Sequence, residues 1–510
     1  MTIRDLSQIN SSPFFELAGR TLSHMAMFFA GRSVDSYIVG GFLRDLLLGR
    51  SSGDIDIVVD TDPNGFAEEL AGILGGTHIR FNNSPSMVRI VVPGSVQENP
   101  KRLEWQIDIS YFQNDIRQDL ASRDFTVNAL ALPLKAGFDE MANENIIDPF
   151  GGISDMRNSR IKMISDMIFA EDPIRLLRAL RISTQLGFLL DSHTSIAIER
   201  NAHLVSHVSQ ERIRDEFLKI LSLPDATRNM YALDHLGLLC RVIPELEDLK
   251  GVSQPKEHHY WDVFHHSIQT TGAIERAISR NTEQLSVIPW HPYLDRYFDE
   301  EVSDGCSRST IIKLAGLLHD VAKPVAKSFD INGRIRFIGH DEYGSKVSSE
   351  ILRRLRVSNK GIHLVSKMIK YHLRPTQISQ RLEMPTQRAL FRYARDLGEI
   401  AIDTLFLNLG DYLAANGPVI NDINDWYSHC ALIGDILFRG LIKTDLGSYS
   451  KKGLVDGNDI MDFLRLPPSR AIGQILELVD EAYGSGEIES KEEALELARM
   501  AVLSIDNTTN

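Results

Sequence analysis

The sequence predicts an α+β N-terminal domain, a mixed sheet with helices, followed by all-α domains. Three observations predict it. Short β-branched or apolar runs at 37–39, 55–59, 87–92 and 103–109 are separated by turn glycines and helical stretches. Past Gly152 strand signals become scarce, and from Phe169 apolar residues recur at helical spacing. The chain has 510 residues, 43% of them hydrophobic, enough for three or more buried cores at roughly 100–200 residues per domain. The expected boundaries are 1–152 for the α+β head, 153–250 for a helical domain, 251–420 for a histidine-rich helical domain, and 421–510 for a C-terminal helical region.

In chain order, the opening residues read as an amphipathic helix leading into the first strand. That strand, 37–39, ends at Gly40-Gly41, and a helix over 42–48 stops at Gly49. Residues 55–59 form the second strand, and 87–92 and 103–109 join the same sheet. The segment 281–309 is polar and carries Pro289 and Pro292, so a long loop is expected there. The chain ends in Asn507-Thr508-Thr509-Asn510, expected to be disordered.

Charge and composition exclude several classes. A net charge of −14 argues against a protein coated in nucleic acid, but not against a local basic groove. Basic residues crowd 351–395, where Glu383 is the sole acid, whereas 477–496 is acidic. Within the basic stretch Arg388, Arg392 and Arg395 fall on one helix face and are candidates to grip an RNA backbone; a solvated helix face is the plainer alternative. No run of about 18 apolar residues appears, and the N-terminus lacks the pattern of a signal peptide. Cys240, Cys306 and Cys430 are scattered, which suggests neither a disulfide framework nor a CxxC metal site. A cytoplasmic protein is expected.

Chemistry gathers first around Asp54-Ile55-Asp56. On a strand, residues i and i+2 face the same side, so the two carboxylates can share divalent ions. Such ions align an attacking hydroxyl and stabilise a leaving pyrophosphate. A DxD pair alone is weak. Here Gly40-Gly41 ends a strand and opens a helix bearing Arg44 and Asp45, an arrangement suited to a triphosphate. A third carboxylate, Asp108, lies in the strand Trp105-Gln106-Ile107-Asp108. Farther on, Asp172 and Arg175 are spaced i, i+3, which on a helix puts an acceptor and a donor on one face. Arg178 and Arg181 continue that stripe; an intrahelical ion pair with solvated arginines is the plainer reading. His319-Asp320 follows an apolar segment, and His265 or His266, His340, His372 and Asp411 are further candidate ligands around it.

The N-terminal motifs resemble the class II tRNA nucleotidyltransferase and bacterial poly(A) polymerase family of the DNA polymerase beta superfamily. Besides Gly40-Gly41-Phe42-Leu43-Arg44-Asp45 and Asp54-Ile55-Asp56, the matching segments are Arg123-Asp124-Phe125-Thr126-Val127-Asn128-Ala129-Leu130, Asp148-Pro149-Phe150-Gly151-Gly152, Glu171-Asp172-Pro173-Ile174-Arg175-Leu176-Leu177-Arg178-Ala179-Leu180-Arg181, and Glu211-Arg212-Ile213-Arg214-Asp215-Glu216. The resemblance implies that Asp54 and Asp56 bind catalytic Mg²⁺ and that Asp108 completes the set. It also implies that Gly41 and Arg44 contact the incoming triphosphate, that Arg123, Asp124 and Asn128 hold its phosphates and ribose, and that Asp172 and Arg175 select C or A without a template. Ser122 departs from the family, which usually has a second arginine before Arg123.

The ordered set H…HD…H…H…D resembles the HD phosphohydrolase superfamily. It implies that His266, His319, Asp320 and Asp411 ligate one divalent transition metal, and that His340 and His372 bind a second metal or the phosphate. The domains then read as a nucleotidyltransferase head (1–152), a nucleotide-selecting and RNA-binding domain (153–250), an HD-type metal domain (251–420) and a C-terminal helical region. The expected function is addition of all or part of the 3′-terminal CCA of tRNA from CTP and ATP, with phosphohydrolase activity in the HD domain. The alternatives are a poly(A) polymerase, and an HD phosphohydrolase whose first domain binds RNA.

Overall fold

A computed structural model of the chain describes residues 3, 13–81, 86–93, 104–134, 143–255, 259–378, 384–442 and 453–506. The expected disordered end, Asn507 to Asn510, lies outside the described residues, as do Leu103, His258, Arg381 and Glu383. The chain divides into two compact units. One is Met1–Val208 with Leu236–Arg241, and the other is Ser209–His235 with Val242–Asn510.

The first unit is built on a mixed sheet, as the sequence predicts. Its strands are β1 (Ser36–Val39), β2 (Asp54–Val59), β3 (Thr77–Arg80), β4 (Met87–Pro93), β5 (Glu104–Tyr111) and β6 (Ala131–Pro133). They lie in the order β3-β4-β5-β2-β1-β6. Within this sheet only β2 and β5 run parallel; every other neighbour is antiparallel. The central strands carry the apolar alternation that betrays them: Ile55, Ile57, Ile107 and Ile109 are fully buried or nearly so. The two strands that the sequence hides, β3 and β6, are the edges. β3 is mostly exposed and β6 has three residues, so neither shows a period long enough to read. Helix α1 (Pro13–Ala30) buries Leu22, Met25 and Phe29, and α2 (Gly40–Leu47) runs directly from the end of β1.

The segment after the sheet depends on close backbone approach. Asp148 accepts hydrogen bonds from the N–H groups of Gly152 and Ile153, at 2.7 and 3.0 Å, and so starts the helix Gly152–Arg157. A Cβ on Gly152 would lie 2.1 Å from the Thr126 carbonyl oxygen. Gly152→Ala should therefore destabilise the first unit by about 1–3 kcal/mol through overpacking. Thermal melting checks it, and an unchanged melting temperature would show that the backbone yields freely.

The second unit is helical. Its bundle includes α3 (Val263–Ser279), α4 (Arg308–Leu318), α5 (His340–Arg354), α6 (Asn359–Tyr371), α7 (Gln387–Leu397) and α8 (Ala401–Ala415). α3 and α8 pack closely because Gly410 has no side chain: a Cβ there would meet Ile274 Cγ1 at 2.4 Å. The expected loop at 281–309 is corrected. It holds a short helix, Leu294–Tyr297, and a two-stranded ribbon of Glu301–Ser303 with Cys306–Ser307. Ile288, Leu294, Phe298 and Val302 are buried in it, so scattered apolar anchors fold a segment whose average composition is polar.

Three helices close the chain: α9 (Gly457–Leu464), α10 (Arg470–Gly484) and α11 (Lys491–Asp506). They share a core of Ile460, Ile472, Ile475, Val479, Ala494 and Ala498. The acidic character noted for 477–496 has a local use here. Arg388 pairs with Glu487 at 2.6 Å, Arg392 with Glu481 at 3.9 Å, and Arg395 with Glu477 and Glu481, both at 3.2 Å. The face named above as an RNA grip is thus an ion-pair seam between α7 and the C-terminal segment. On this face the basic charge read from the sequence is met by acids nearly a hundred residues away.

Candidate active sites

Register across the sheet builds the first site. Asp56 stands directly opposite Asp108 on the parallel β2–β5 pair, and Asp54 is two residues before Asp56. Directly opposed residues share a face, so the three carboxylates lie on one side of the sheet. Asp54 is exposed and Asp56 is half-buried. Burial pushes the Asp56 carboxyl up to about 6. Asp108 and Asp54 push the same way, while Arg123 and the Gly41 N–H oppose them. A crowded carboxylate of this kind is where a divalent cation is best accommodated, so these donors fit a hard metal ion.

The turn above the carboxylates explains its glycines. Gly40 has φ +70°, and a Cβ on it would sit 3.0 Å from both Asp56 Oδ2 and Arg123 Nη1. Arg123 is braced by Asp119 at 3.0 Å. Arg44, expected to contact a triphosphate, is only 5% exposed. Its guanidinium grips both oxygens of Asp45 and donates to Asn128 Oδ1 at 2.7 Å. Asn128 donates in turn to Asp124 Oδ1 at 3.0 Å, and Arg178 reaches Asp124 Oδ2 at 3.3 Å. In this structure Arg44 therefore braces Asn128 from within.

One expectation is corrected by Pro173. The i, i+3 spacing predicts one helical face for Asp172 and Arg175, but the helix begins at Arg175 (Arg175–Leu186) and Asp172 is extended, at φ −145°, ψ 95°. A residue before proline is driven out of the helical region. Arg175 donates to the Ser122 carbonyl at 2.7 Å and to Glu171 at 3.4 Å. The departure at Ser122 leaves that contact untouched because it uses the backbone. Arg178 and Arg181 do follow on the same helix, where Arg181 donates to Gln185 at 3.1 Å.

The second site lies inside the helical bundle. His266, His319, Asp320, His340 and His372 are all buried. Their ligand atoms form two clusters that share Asp320: His266 with His319 and Asp320, and Asp320 with His340 and His372. Asp411 joins the first, with Oδ1 2.9 Å from His266 Nε2. The structure chooses between the neighbouring histidines: His266 points inward, whereas His265 is exposed and pairs with Asp262 at 2.8 Å. His319, His340 and His372 each donate Nδ1–H to a backbone carbonyl, of Gly316, Phe337 and Ile369, at 2.7–2.8 Å. This leaves Nε2 for a ligand, the usual tautomer at a metal centre.

Charge in the cluster is balanced without a metal. Burial disfavours an imidazolium at His319, but Asp320 and Asp411 outweigh it and hold its pKa up at about 10. Burial would raise Asp320, yet His319 and Lys323 keep it well below the ordinary carboxylate range. Lys323 Nζ is 2.6 Å from Asp320 Oδ2. A divalent cation would replace the His319 proton, as metal binding to histidine requires. His372, by contrast, is pushed down to about 4 by burial and by His319 and His340, so it is neutral and ready to ligate. Sequence reasoning missed Lys323 and His259. Burial, Lys323 and His266 push His259 down to about 3, and its ring centroid is 5.1 Å from that of His266. Lys323 follows His319-Asp320 by one helical turn, which is a readable signal. His259 has none, since it precedes the helix that carries His266.

Comparison with known proteins covers the segments that carry both sites. The chain matches the poly A polymerase head domain over residues 36–162, the probable RNA and SrmB-binding site of polymerase A over 187–250, and the HD domain over 294–416. It is 29% identical over 464 residues to the A-adding tRNA nucleotidyltransferase of Deinococcus radiodurans, covering 90% of this chain and 93% of that one. It is 28% identical over 467 residues to the CC-adding tRNA nucleotidyltransferase of Thermus thermophilus, covering 90% and 92%. Among solved structures it is similar to a CCA-adding enzyme in complex with ATP, with a TM-score of 0.62 and 21% identity over 98% of this chain and 100% of the other. The fold is also similar to that of the Thermotoga maritima CCA-adding enzyme complexed with tRNA, with a TM-score of 0.56 at 20% identity and the same coverage. Head, RNA-binding and HD segments in this order, on a chain that aligns almost end to end with tRNA nucleotidyltransferases, place the protein in the tRNA nucleotidyltransferase and poly(A) polymerase family.

Proposed function

We propose that this chain adds all or part of the 3′-terminal CCA of tRNA, taking the nucleotides from CTP and ATP. The observation that carries the reading is the row of Asp54, Asp56 and Asp108 on one sheet face, beneath the turn at Gly40-Gly41. In the reaction a 3′-hydroxyl attacks the α-phosphorus of the triphosphate and pyrophosphate leaves. Mg²⁺ held by Asp54 and Asp56 would supply charge neutralisation. The chain's own groups do the rest. Arg123 faces the carboxylates and offers positive charge beside them. Asn128 and Asp124, kept rigid by Arg44 and Arg178, would hold the ribose and phosphates. In this reading residues 1–152 perform transfer, 153–250 select the nucleotide and hold RNA, and 251–420 form a separate metal domain ahead of the C-terminal helices. A cytoplasmic location agrees with three cysteines that form no disulfide.

The HD cluster supports a second activity, hydrolysis of a phosphoester by water on a divalent transition metal. His266, His319, Asp320 and Asp411 would hold that ion, and His340 with His372 a second ion or the phosphate.

The deciding experiment supplies purified protein with tRNA ending before, within and after CCA, and with each NTP separately. Addition that stops when CCA is complete is expected. Long A tails would assign a poly(A) polymerase instead, and no incorporation at all would refute nucleotidyl transfer. The same assay tests Arg175. Arg175→Ala should blur the choice between CTP and ATP as well as slow addition, because a lost hydrogen bond to the incoming base costs about 1–3 kcal/mol. Unchanged relative use of the four NTPs would remove Arg175 from base selection.

A further inference from the structure

Both oxygens of Asp108 are already taken. Arg89 Nε lies 2.7 Å from Oδ1 and Nη2 lies 2.7 Å from Oδ2, a two-pronged charge-assisted grip. Register makes the contact inevitable. Arg89 is directly opposite Asp108 on the β4–β5 pair, and Asp108 is directly opposite Asp56 on the β5–β2 pair. Arg89, Asp108 and Asp56 thus form a row across one sheet face. The guanidinium also rests over the Phe81 ring, 5.6 Å from its centroid, which holds its plane. Neither the DxD motif nor the family motifs include Arg89.

Charge count tunes the affinity of a carboxylate site for a divalent ion. Three unopposed carboxylates would bind a bare cation tightly. With Asp108 neutralised by its neighbour, only Asp54 and Asp56 attract the ion at full strength, and a triphosphate brings the missing negative oxygens itself. Resting on the transferase reading above, we infer that Arg89 is a positioning residue that holds Asp108 back from free divalent ions, so that the site fills with cation and nucleoside triphosphate together.

The test is binding of Mn²⁺ alone, without nucleotide, followed by the electron paramagnetic resonance of free Mn²⁺. It uses the full chain with both HD clusters silenced by His319→Ala together with His372→Ala, one ligand from each. In that parent Mn²⁺ should bind weakly. Arg89→Gln should bind it about tenfold more tightly, the change expected for losing a charge-assisted hydrogen bond to a ligand oxygen. Arg89→Lys, which keeps charge but not the fork, should tighten it less. Adding Asp108→Asn to Arg89→Gln should erase the gain. A residue that merely holds the sheet together would weaken Mn²⁺ binding when removed. Affinity in Arg89→Gln equal to or weaker than the parent's therefore overturns the inference. If that variant does not fold, judged by circular dichroism, Arg89→Lys takes its place in the comparison, and affinity equal to or weaker than the parent's again overturns the inference. Failure of the transferase reading shows separately: Asp54→Ala would then leave the parent's Mn²⁺ binding unchanged.

Discussion

Replacing Asp54 or Asp56 with alanine should abolish nucleotide addition, lowering the rate by about a thousandfold or more, because the charge that stabilises the developing pyrophosphate is lost with the metal. Folding should survive. Asp54 is exposed, and surface substitutions of this kind shift stability by about 0.5 kcal/mol or less. Asp56 carries a second, opposite signature. Its carboxyl is raised to about 6, first by burial and then by Asp108 and Asp54. A carboxylate whose folded pKa exceeds its unfolded value binds its proton more tightly in the folded state. Ionising it therefore destabilises the fold, fully above about pH 6 and not at all below its unfolded value. Asp56→Asn should then raise the melting temperature of the metal-free protein at about pH 8 and leave it unchanged at about pH 3.5, while destroying activity. Primer-extension gels and melting curves on the same preparations check both halves. Near-normal transfer by either alanine variant would dismiss the carboxylates as the transfer site. A lower melting temperature for Asp56→Asn under the alkaline condition would dismiss the strain.

His319→Ala should have the second large effect. It removes a ligand that belongs to one cluster and touches Asp320 and Asp411 at 3.2 and 3.7 Å. Hydrolysis of a 2′,3′-cyclic phosphate or a simple phosphoester should fall by about a hundredfold or more, since loss of metal-activated water leaves nothing to replace the nucleophile. Nucleotide addition should continue at its ordinary rate. The variant should also melt earlier, because Asp320 is left buried with Lys323 as its principal counter-charge. Metal addition should stabilise the wild type more than the variant. A wild-type protein without hydrolysis in Mn²⁺, Ni²⁺ or Zn²⁺ would make the cluster structural.

Much of this protein is legible along the chain because its chemistry is written in short-range patterns. Asp54 and Asp56 are two residues apart on a strand, so alternation alone puts them on one face. The turn at Gly40-Gly41 and the helix that follows are read from glycine placement and local period. Adjacent His319 and Asp320 stand out in the sequence as a candidate pair, and both side chains are buried in the helical bundle. These are i to i+4 relations, and backbone geometry fixes them before tertiary contacts exist.

Other features are decided by strand register and helix packing, which no local pattern carries. Arg89 reaches Asp108 because β4 and β5 pair in one register. His266 is preferred to His265 because Gly410 lets α8 approach α3 and brings Asp411 to it. Arg388, Arg392 and Arg395 look like an open basic face until α10 and Glu487 supply acids from the far end of the chain. Asp172 is an intermediate case: Pro173 stands beside it in the sequence, and its local effect overrides the helical spacing. The physical reason is the same for the long-range cases. Sequence period determines which way a side chain leaves its own backbone, whereas the partner it meets, and so its charge state and its role, is set by which distant backbone packs against it.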